Sequence, residues 1–204
     1  GAVLWAHRPM VLCAVGSPRL AACYVPLLSR LTRAYATWPS PAEWGVTLLT
    51  LALFALVALL ILRRAGGLEL RPLRARWPRL LAIVAAAPLS PALLEETLYR
   101  VVLNPHPLEG VSPQARVGWG ALSLALYVLA HPLAAWRWRW ARAYFWRPAF
   151  LVVVALLGLA CTVLYLRTGS VWPPVALHAA VTVAWKLAFG GPPEPFAGLV
   201  EVKR

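Results

Sequence analysis

Residues 45–62 form a stretch of 18 residues without a charged side chain, GVTLLTLALFALVALLIL, which ends at Arg63-Arg64. A helix of about 20 apolar residues is long enough to cross the hydrocarbon core of a bilayer. The composition of the whole chain is also typical of a membrane protein. Of its residues 61% are hydrophobic and 13% are charged, whereas soluble domains have roughly 45–50% hydrophobic and 25% charged residues. The stretch therefore predicts a membrane-spanning helix, and the composition excludes a disordered chain.

Six apolar segments are recognisable along the chain. They are residues 9–29, 45–62, 78–103, 117–136, 148–166 and 172–190. Arg19 interrupts the first segment, and charged residues and prolines interrupt the third. The connections are short and no internal repeat is present. We therefore predict an all-α polytopic membrane bundle of about six spans that forms a single domain over residues 1–204.

Arginine is distributed unevenly among the connections. Residues 63–79 and 137–147 carry six and four arginines, whereas 104–116 and 167–171 carry one each. Cytoplasmic loops of membrane proteins are enriched in Lys and Arg, so we predict that both arginine-rich connections face the cytoplasm of a bacterial inner membrane. This topology accounts for the net charge of +13. We expect contact with the lipid bilayer and no nucleic acid partner, and interpret the WRWRW run at 136–140 as an interfacial segment.

The third segment contains charged side chains where a spanning helix should be apolar. An ionisable residue inside a span costs about 2.5–3.5 kcal/mol on insertion scales and is a functional-site hypothesis by default. Glu96 and Arg100 are one helical turn apart and are predicted to pair, whereas Glu95 points about 100° away and is a candidate general base. A structural ion pair beside a glutamate near a helix end is the alternative. Ser90-Pro91 predicts a break at which a new helix starts.

Two histidines lie in other spans, each with a polar residue four positions away on the same helix face. His131 follows Tyr127, and Thr182 follows His178. A single histidine on an apolar face is usually a core residue, but two histidines and a carboxylate pair on three spans favour a functional site. The remaining histidines are predicted to face solvent: His7 and His106. The cysteines show no metal-site spacing and are predicted to be buried hydrophobes: Cys13, Cys23 and Cys161.

Taken in order, these residues resemble the motifs of a known family. The pattern is EExxxR, then an aromatic residue four positions before a His, then Gly-Ser-x-Trp-x-Pro followed by a His. It resembles the CPBP family, the type II CAAX prenyl endopeptidase and bacteriocin-processing family of intramembrane proteases. The matching positions are Glu95, Glu96, Arg100, Tyr127, His131 and His178. Tyr127 stands where Phe is usual and Thr182 where Asn is usual. The similarity covers about residues 78–190, which the family implies is a four-span catalytic core.

The resemblance implies an intramembrane endopeptidase of the glutamic type, without a cofactor. Glu95, helped by His131, would activate water, and His178 with Thr182 would donate hydrogen bonds to the oxyanion. Glu96 and Arg100 would hold the geometry of the site. The alternative is a metalloprotease in which Glu95, His131 and His178 bind zinc, although an HExxH motif is absent.

The substrate implied by the family is a membrane protein or a lipidated peptide. C-terminal sorting signals, which myxosortase-like relatives cleave, belong to this class. Two alternatives come from other functional classes. One is a non-catalytic membrane scaffold or immunity protein of the same fold, and the departure at Thr182 favours it. The other is a small transporter with a proton relay, which the absence of an inverted repeat disfavours.

Overall fold

The structure is a computed structural model that describes residues 20–66, 70–137 and 141–191, with side chains from residue 27 onward. Helices account for most of these ranges, and no β-strand occurs within them. The helices are α1 (Leu20–Ala36), α2 (Pro41–Arg64), α3 (Trp77–Ala86), α4 (Leu94–Glu96), α5 (Pro113–Arg137), α6 (Arg142–Phe145), α7 (Pro148–Thr168) and α8 (Trp172–Ala188). Two π-helical turns, Pro88–Leu93 and Thr97–Val102, extend α4 on both sides. The prediction of an all-α fold is confirmed.

Four helical stretches of the described residues are long and apolar enough to cross a membrane. They are Pro41–Arg64, Trp77–Glu109, Pro113–Arg137 and Pro148–Thr168. α1 and α8 contain 17 residues each, which is shorter than a typical span. The chain is thus a multi-span membrane protein, and the predicted count of six includes two helices that are short for a crossing.

The first helix differs from the span predicted over residues 9–29. α1 runs over Leu20–Ala36, and residues 9–19 lie outside the described part of the chain. Arg30 does not end the helix, because its guanidinium donates to both carboxylate oxygens of Glu109 at 2.6 and 2.7 Å and to the carbonyl oxygen of Val102 at 2.9 Å. The charge of Arg30, just beyond the span predicted over residues 9–29, is thus compensated by residues far along the chain.

The third segment breaks at the predicted position. Ser90 has an extended backbone, with φ −146° and ψ 122°, between α3 and the turn of helix that leads into α4. Beyond this break Ala92, Glu96 and Arg100 are fully buried. The break therefore changes the direction of the chain and carries the charged motif into the bundle interior.

α7 and α8 form the centre of the bundle. α7 packs against α2, α5 and α8, and its buried residues lie along most of its length. By contrast, α2 buries only Thr47, Phe54 and Ala58 and leaves Leu48 and Leu49 mostly exposed, as a helix that faces lipid does. The site described below lies where α4, α5 and α8 face one another beside α7.

Both arginine-rich connections lie at one end of the bundle. The backbone N–H groups of Arg71 and Leu73 donate to the carbonyl oxygens of Ala188 and Leu187 at 2.9 and 2.8 Å. The hydroxyl of Tyr144, on α6, donates to the carbonyl oxygen of Gly190 at 3.1 Å. The two connections therefore meet beside the C-terminal end of α8, which we call the basic end.

Candidate active site

A cleft of about 1530 Å³ runs through the bundle between α2, α4, α5, α7 and α8. Its lining includes four of the six predicted site residues, from three separate regions of the chain. These are Glu95, His131, His178 and Thr182. The other two, Glu96 and Arg100, are completely buried behind the wall of the cleft. The fold thus collects all six around one cavity.

Glu96 lies between two basic side chains. Its Oε2 atom is 3.0 Å from Nε of Arg100, as the four-residue spacing predicted. Its Oε1 atom is 2.7 Å from Nδ1 of His178. A buried charge is tolerated only where it is paired and hydrogen-bonded. The pairing of Glu96 therefore links the first motif to the histidine of α8.

Arg100 is held on its other side by α5 and α7. Its Nη2 atom donates to the carbonyl oxygen of Gly158 at 3.0 Å. Its guanidinium lies over the ring of Tyr127, 4.4 Å from the centroid, which is within the range of a cation–π contact. A carboxylate, a carbonyl and an aromatic face thus fix this buried cation in one position.

The contact with Glu96 defines which nitrogen of His178 carries a proton. A carboxylate beside an arginine can only accept hydrogen bonds, so Nδ1 of His178 is the donor. Nε2 faces the cleft, 3.9 Å from Oε2 of Glu95. Orientation of a histidine by a carboxylate on its far nitrogen is a common arrangement in sites where the near nitrogen does chemistry.

Glu95 and Glu96 have different environments, as their positions on the helix predicted. The side chain of Glu95 is 31% exposed and that of Glu96 is completely buried. The 3.9 Å between Glu95 and His178 is too long for a direct hydrogen bond. It is short enough for both groups to contact one water molecule.

His131 lies in the same cleft, next to Tyr127. Its Nδ1 atom is 3.0 Å from the carbonyl oxygen of Tyr127 and is therefore the donor, so Nε2 is the acceptor of the neutral ring. The ring packs edge-to-face against Tyr127 and Phe145, with centroids 5.1 and 5.0 Å apart. Tyr127 also packs against His178 at 6.3 Å, so one aromatic ring supports both histidines.

Two residues of α7 support the site and were missed in the sequence. Gly158 gives its carbonyl to Arg100, and a Cβ atom there would lie 2.7 Å from side-chain atoms of Leu124 and Tyr127. Cys161 is fully buried, as predicted, and its thiol donates to the carbonyl oxygen of Pro174 on α8 at 3.7 Å. The sequence signal was the small side chains of Gly158, Ala160 and Cys161 in a helix whose other residues are mostly bulky and apolar.

We expect Gly158→Ala to destabilise the protein and to reduce its activity. The added methyl group forces the Tyr127 ring away from Arg100 and both histidines, and overpacking of this kind costs about 1–3 kcal/mol. Thermal unfolding in detergent measures the loss of stability. Gly118→Ala on α5 is the matched control, because its Cβ meets no atom within 4 Å. Equal unfolding midpoints for the two variants would contradict the tight packing of Tyr127.

His106 was predicted to face solvent, and this is wrong. It is 3% exposed, and its Nε2 atom lies 3.1 Å from the carbonyl oxygen of Gly169. The ring also packs against Tyr165, with centroids 6.3 Å apart. His106 does not line the cleft. Its contacts with Tyr165 and Gly169 join the segment before α5 to the C-terminal end of α7, at the end of the bundle opposite the basic end. His7 lies outside the described residues.

The donor atoms of the cleft do not form a three-ligand metal site. Among the residues that the structure describes, no three His, Cys, Asp or Glu side chains lie close enough together to hold an ion. Glu95 and His178 are 3.9 Å apart, but His131 is not grouped with both of them as a third ligand. The alternative zinc set of Glu95, His131 and His178 is therefore not assembled in this arrangement, and no catalytic step is derived through a metal.

Comparison with protein families gives one match, to the family described as type II CAAX prenyl endopeptidase Rce1-like. The match covers residues 76–184, which is just over half of the 204-residue chain. It begins just before α3, ends within α8, and contains every residue of the site described above. No curated protein and no solved structure matches the chain.

Proposed function

The chain belongs to the Rce1-like type II CAAX prenyl endopeptidase family, and from this premise we propose that Glu95 activates water to hydrolyse a peptide bond at the membrane. Membership of the family indicates a protease, and the spanning helices place it in a lipid bilayer. The observation that carries the proposal is the pair formed by Glu95 and His178, which face each other across 3.9 Å in the cleft.

In the proposed reaction, Glu95 takes a proton from the water as its oxygen attacks the carbonyl carbon of the substrate. His131 accepts a second hydrogen bond from that water and orients it. The protonated Glu95 then gives its proton to the leaving nitrogen as the C–N bond breaks. Proton transfer by a positioned side chain contributes typically 10²–10⁴-fold, so we expect Glu95 to supply a large part of the rate enhancement.

The oxyanion formed by the attack is stabilised by α8. His178, which the carboxylate of Glu96 holds at Nδ1, presents Nε2 to the cleft and donates from it to the oxyanion. Thr182, one helical turn further along, lines the same cleft and supplies a hydroxyl. Donors directed at a developing charge in a water-poor site are each worth about 2.7–4 kcal/mol.

We expect Thr182→Val to reduce kcat by about tenfold or more. Valine has the shape of threonine but lacks the hydroxyl, and a lost donor to a developing charge costs over about 1.4 kcal/mol. Thr182→Asn should keep or raise activity, because it restores a donor at this position. The measurement is single-turnover cleavage of one peptide in bilayer discs. A valine variant as fast as the parent would remove Thr182 from the site.

The substrate that we propose is a membrane protein or a lipidated peptide, a class that includes C-terminal sorting signals. Purified protein in bilayer discs should cleave such peptides with unchanged rates after treatment with a metal chelator. The zinc alternative requires the opposite result, which is loss of cleavage with the chelator and recovery when zinc is added. Prenylated and unmodified forms of one peptide, compared in the same assay, determine whether the lipid is recognised.

We propose that the basic end faces the cytoplasm of a bacterial inner membrane, as the distribution of arginine indicates. Cysteines placed at Arg74 and Arg137, in a background in which Cys13 and Cys23 are alanine, should both react with a membrane-impermeant maleimide from the cytoplasmic side only. Leu108→Cys, which is mostly exposed at the opposite end, should react from the other side. Labelling of Arg74→Cys and Arg137→Cys from different sides would contradict the topology.

A further inference from the structure

We infer that the hydroxyl of Tyr127 donates a hydrogen bond to the oxyanion that forms during cleavage, beside the donors of α8. The inference rests on the proposed function and adds a catalytic residue to it. The ring of Tyr127 supports both histidines of the site, whereas its hydroxyl takes no part in that packing. The surroundings of this hydroxyl indicate its role.

The hydroxyl of Tyr127 makes no hydrogen bond to any residue that the structure describes. The backbone carbonyl of Tyr127 accepts from His131, and its ring contacts Tyr99, Arg100 and both histidines. The residue is only 1% exposed, but its hydroxyl oxygen is not one of the buried polar atoms that are closed off from solvent. The small exposed area of Tyr127 therefore includes the hydroxyl, on a side chain that lines the cleft.

A second buried tyrosine, Tyr165 on α7, shows what is particular about Tyr127. A buried hydroxyl without a partner costs free energy, so proteins pair nearly all such groups. The hydroxyl of Tyr165 is also without a partner among the described residues, but it is closed off from solvent and Tyr165 does not line the cleft. Tyr127 shares its cleft with Glu95 and His178. A polar group that enters this cleft can therefore satisfy the hydroxyl of Tyr127 and cannot reach that of Tyr165.

Packing around the ring of Tyr127 holds its hydroxyl in one position. The guanidinium of Arg100 lies over the ring, 4.4 Å from the centroid. The backbone of Gly158 is so close that a Cβ atom there would lie 2.7 Å from a ring carbon. The rings of His131 and His178 pack edge-to-face against it, with centroids 5.1 and 6.3 Å away. A donor that is fixed before the reaction needs no reorganisation when charge develops, which is what makes an oxyanion hole effective.

The proposed reaction determines which group the hydroxyl meets. The two hydrogens of the attacking water are directed at Glu95 and His131, so the water needs no further acceptor. The oxyanion, by contrast, needs donors, and a phenol carries its proton at neutral pH. Tyr127 keeps this proton throughout, because its hydrogen bond strengthens as charge develops on the oxygen and weakens when the C–N bond breaks and the carbonyl forms again. Together with His178 and Thr182 it gives the oxyanion three donors.

The test is Tyr127→Phe, which removes the hydroxyl and keeps the ring that packs against the histidines. We expect kcat for one membrane peptide in bilayer discs to fall about tenfold or more. KM should stay the same, because the lost hydrogen bond forms mainly in the transition state. Binding of a phosphonate analogue of the same peptide, which carries a tetrahedral anion, should weaken by a similar factor. Tyr165→Phe is the matched control, since it removes an unpaired buried hydroxyl outside the cleft, and it should cleave and bind as the parent does.

Each remaining result overturns the inference. A Tyr127→Phe protein that cleaves as fast as the parent does not use the hydroxyl. A slower variant that binds the phosphonate as tightly as the parent, or whose pH profile of kcat/KM is shifted, assigns the hydroxyl to Glu95 or a histidine instead of the oxyanion. Equal losses of activity in Tyr127→Phe and Tyr165→Phe, or failure of Tyr127→Phe to fold, show that the hydroxyl has a structural role. A parent that neither cleaves the peptide nor binds the phosphonate, by contrast, refutes the proposed function itself.

Discussion

Glu95→Gln is expected to reduce the rate of peptide cleavage on the order of a thousandfold. Glutamine keeps the size and the hydrogen-bonding reach of the side chain, but it cannot take a proton from water. General bases contribute typically 10²–10⁴-fold. No other carboxylate among the described residues lines the cleft, so none of those is positioned to replace it.

The measurement is cleavage under single-turnover conditions in bilayer discs, together with thermal unfolding. Glu95 is partly exposed, and its approach to His178 at 3.9 Å is the contact that the structure shows for its carboxylate among the described residues, so the variant should unfold at the temperature of the parent. Glu43→Gln is the control, because it changes a glutamate outside the cleft that caps α2. A Glu95→Gln protein with a tenth or more of the parent's activity would contradict the general base. If the protein is instead a non-catalytic scaffold, neither parent nor variant cleaves and both keep the cellular function.

Arg100→Met is expected to lower the free energy of unfolding by about 3–5 kcal/mol. Arg100 is fully buried, and its removal leaves the carboxylate of Glu96 in the interior without its cation. Breaking one side of a buried ion pair typically has a cost of this size. Activity should fall as well, because Glu96 loses the partner that fixes it against His178.

A double-mutant cycle separates the pair from its surroundings. Glu96→Gln/Arg100→Met removes both charges, and we expect it to be less destabilised than the sum of the two single variants. Arg79→Met, at an exposed position near the start of α3, should change stability by no more than about 0.5 kcal/mol. Unfolding in denaturant at fixed detergent concentration provides the values. An Arg100→Met protein within about 1 kcal/mol of the parent would show that the pair contributes little to folding.

Local patterns in the sequence predicted much of the local structure. The break at Ser90, the pairing of Glu96 with Arg100 and the contact between Tyr127 and His131 each depend on residues within a few positions of one another. Helical geometry fixes such relations wherever the helix lies. The arginine-rich connections were likewise predicted to share a side of the membrane, and the structure places both at one end of the bundle.

Relations between distant residues were not predictable in the same way. Glu96 contacts His178, 82 positions along the chain, and His106 contacts Gly169, 63 positions along. A burial pattern that depends on such partners leaves no periodic signal, so His106 was wrongly predicted to face solvent. The role of Gly158 was likewise not predictable from its neighbours in sequence, because it depends on the side chains of Leu124 and Tyr127 that pack against it from α5.

The anchoring of α1 has a consequence for the order in which the protein assembles during biosynthesis. Arg30 meets Glu109 79 residues later, and the carbonyl oxygen of Tyr35 accepts from Trp172 137 residues later. These partners leave the ribosome long after α1. An arginine inside the bilayer costs about 2.5–3.5 kcal/mol on insertion scales, and the carboxylate partner of Arg30 has not yet been synthesised when α1 leaves the ribosome. Final docking of the N-terminal helix is therefore a late event, which follows the arrival of the helices that bear Glu95 and His178.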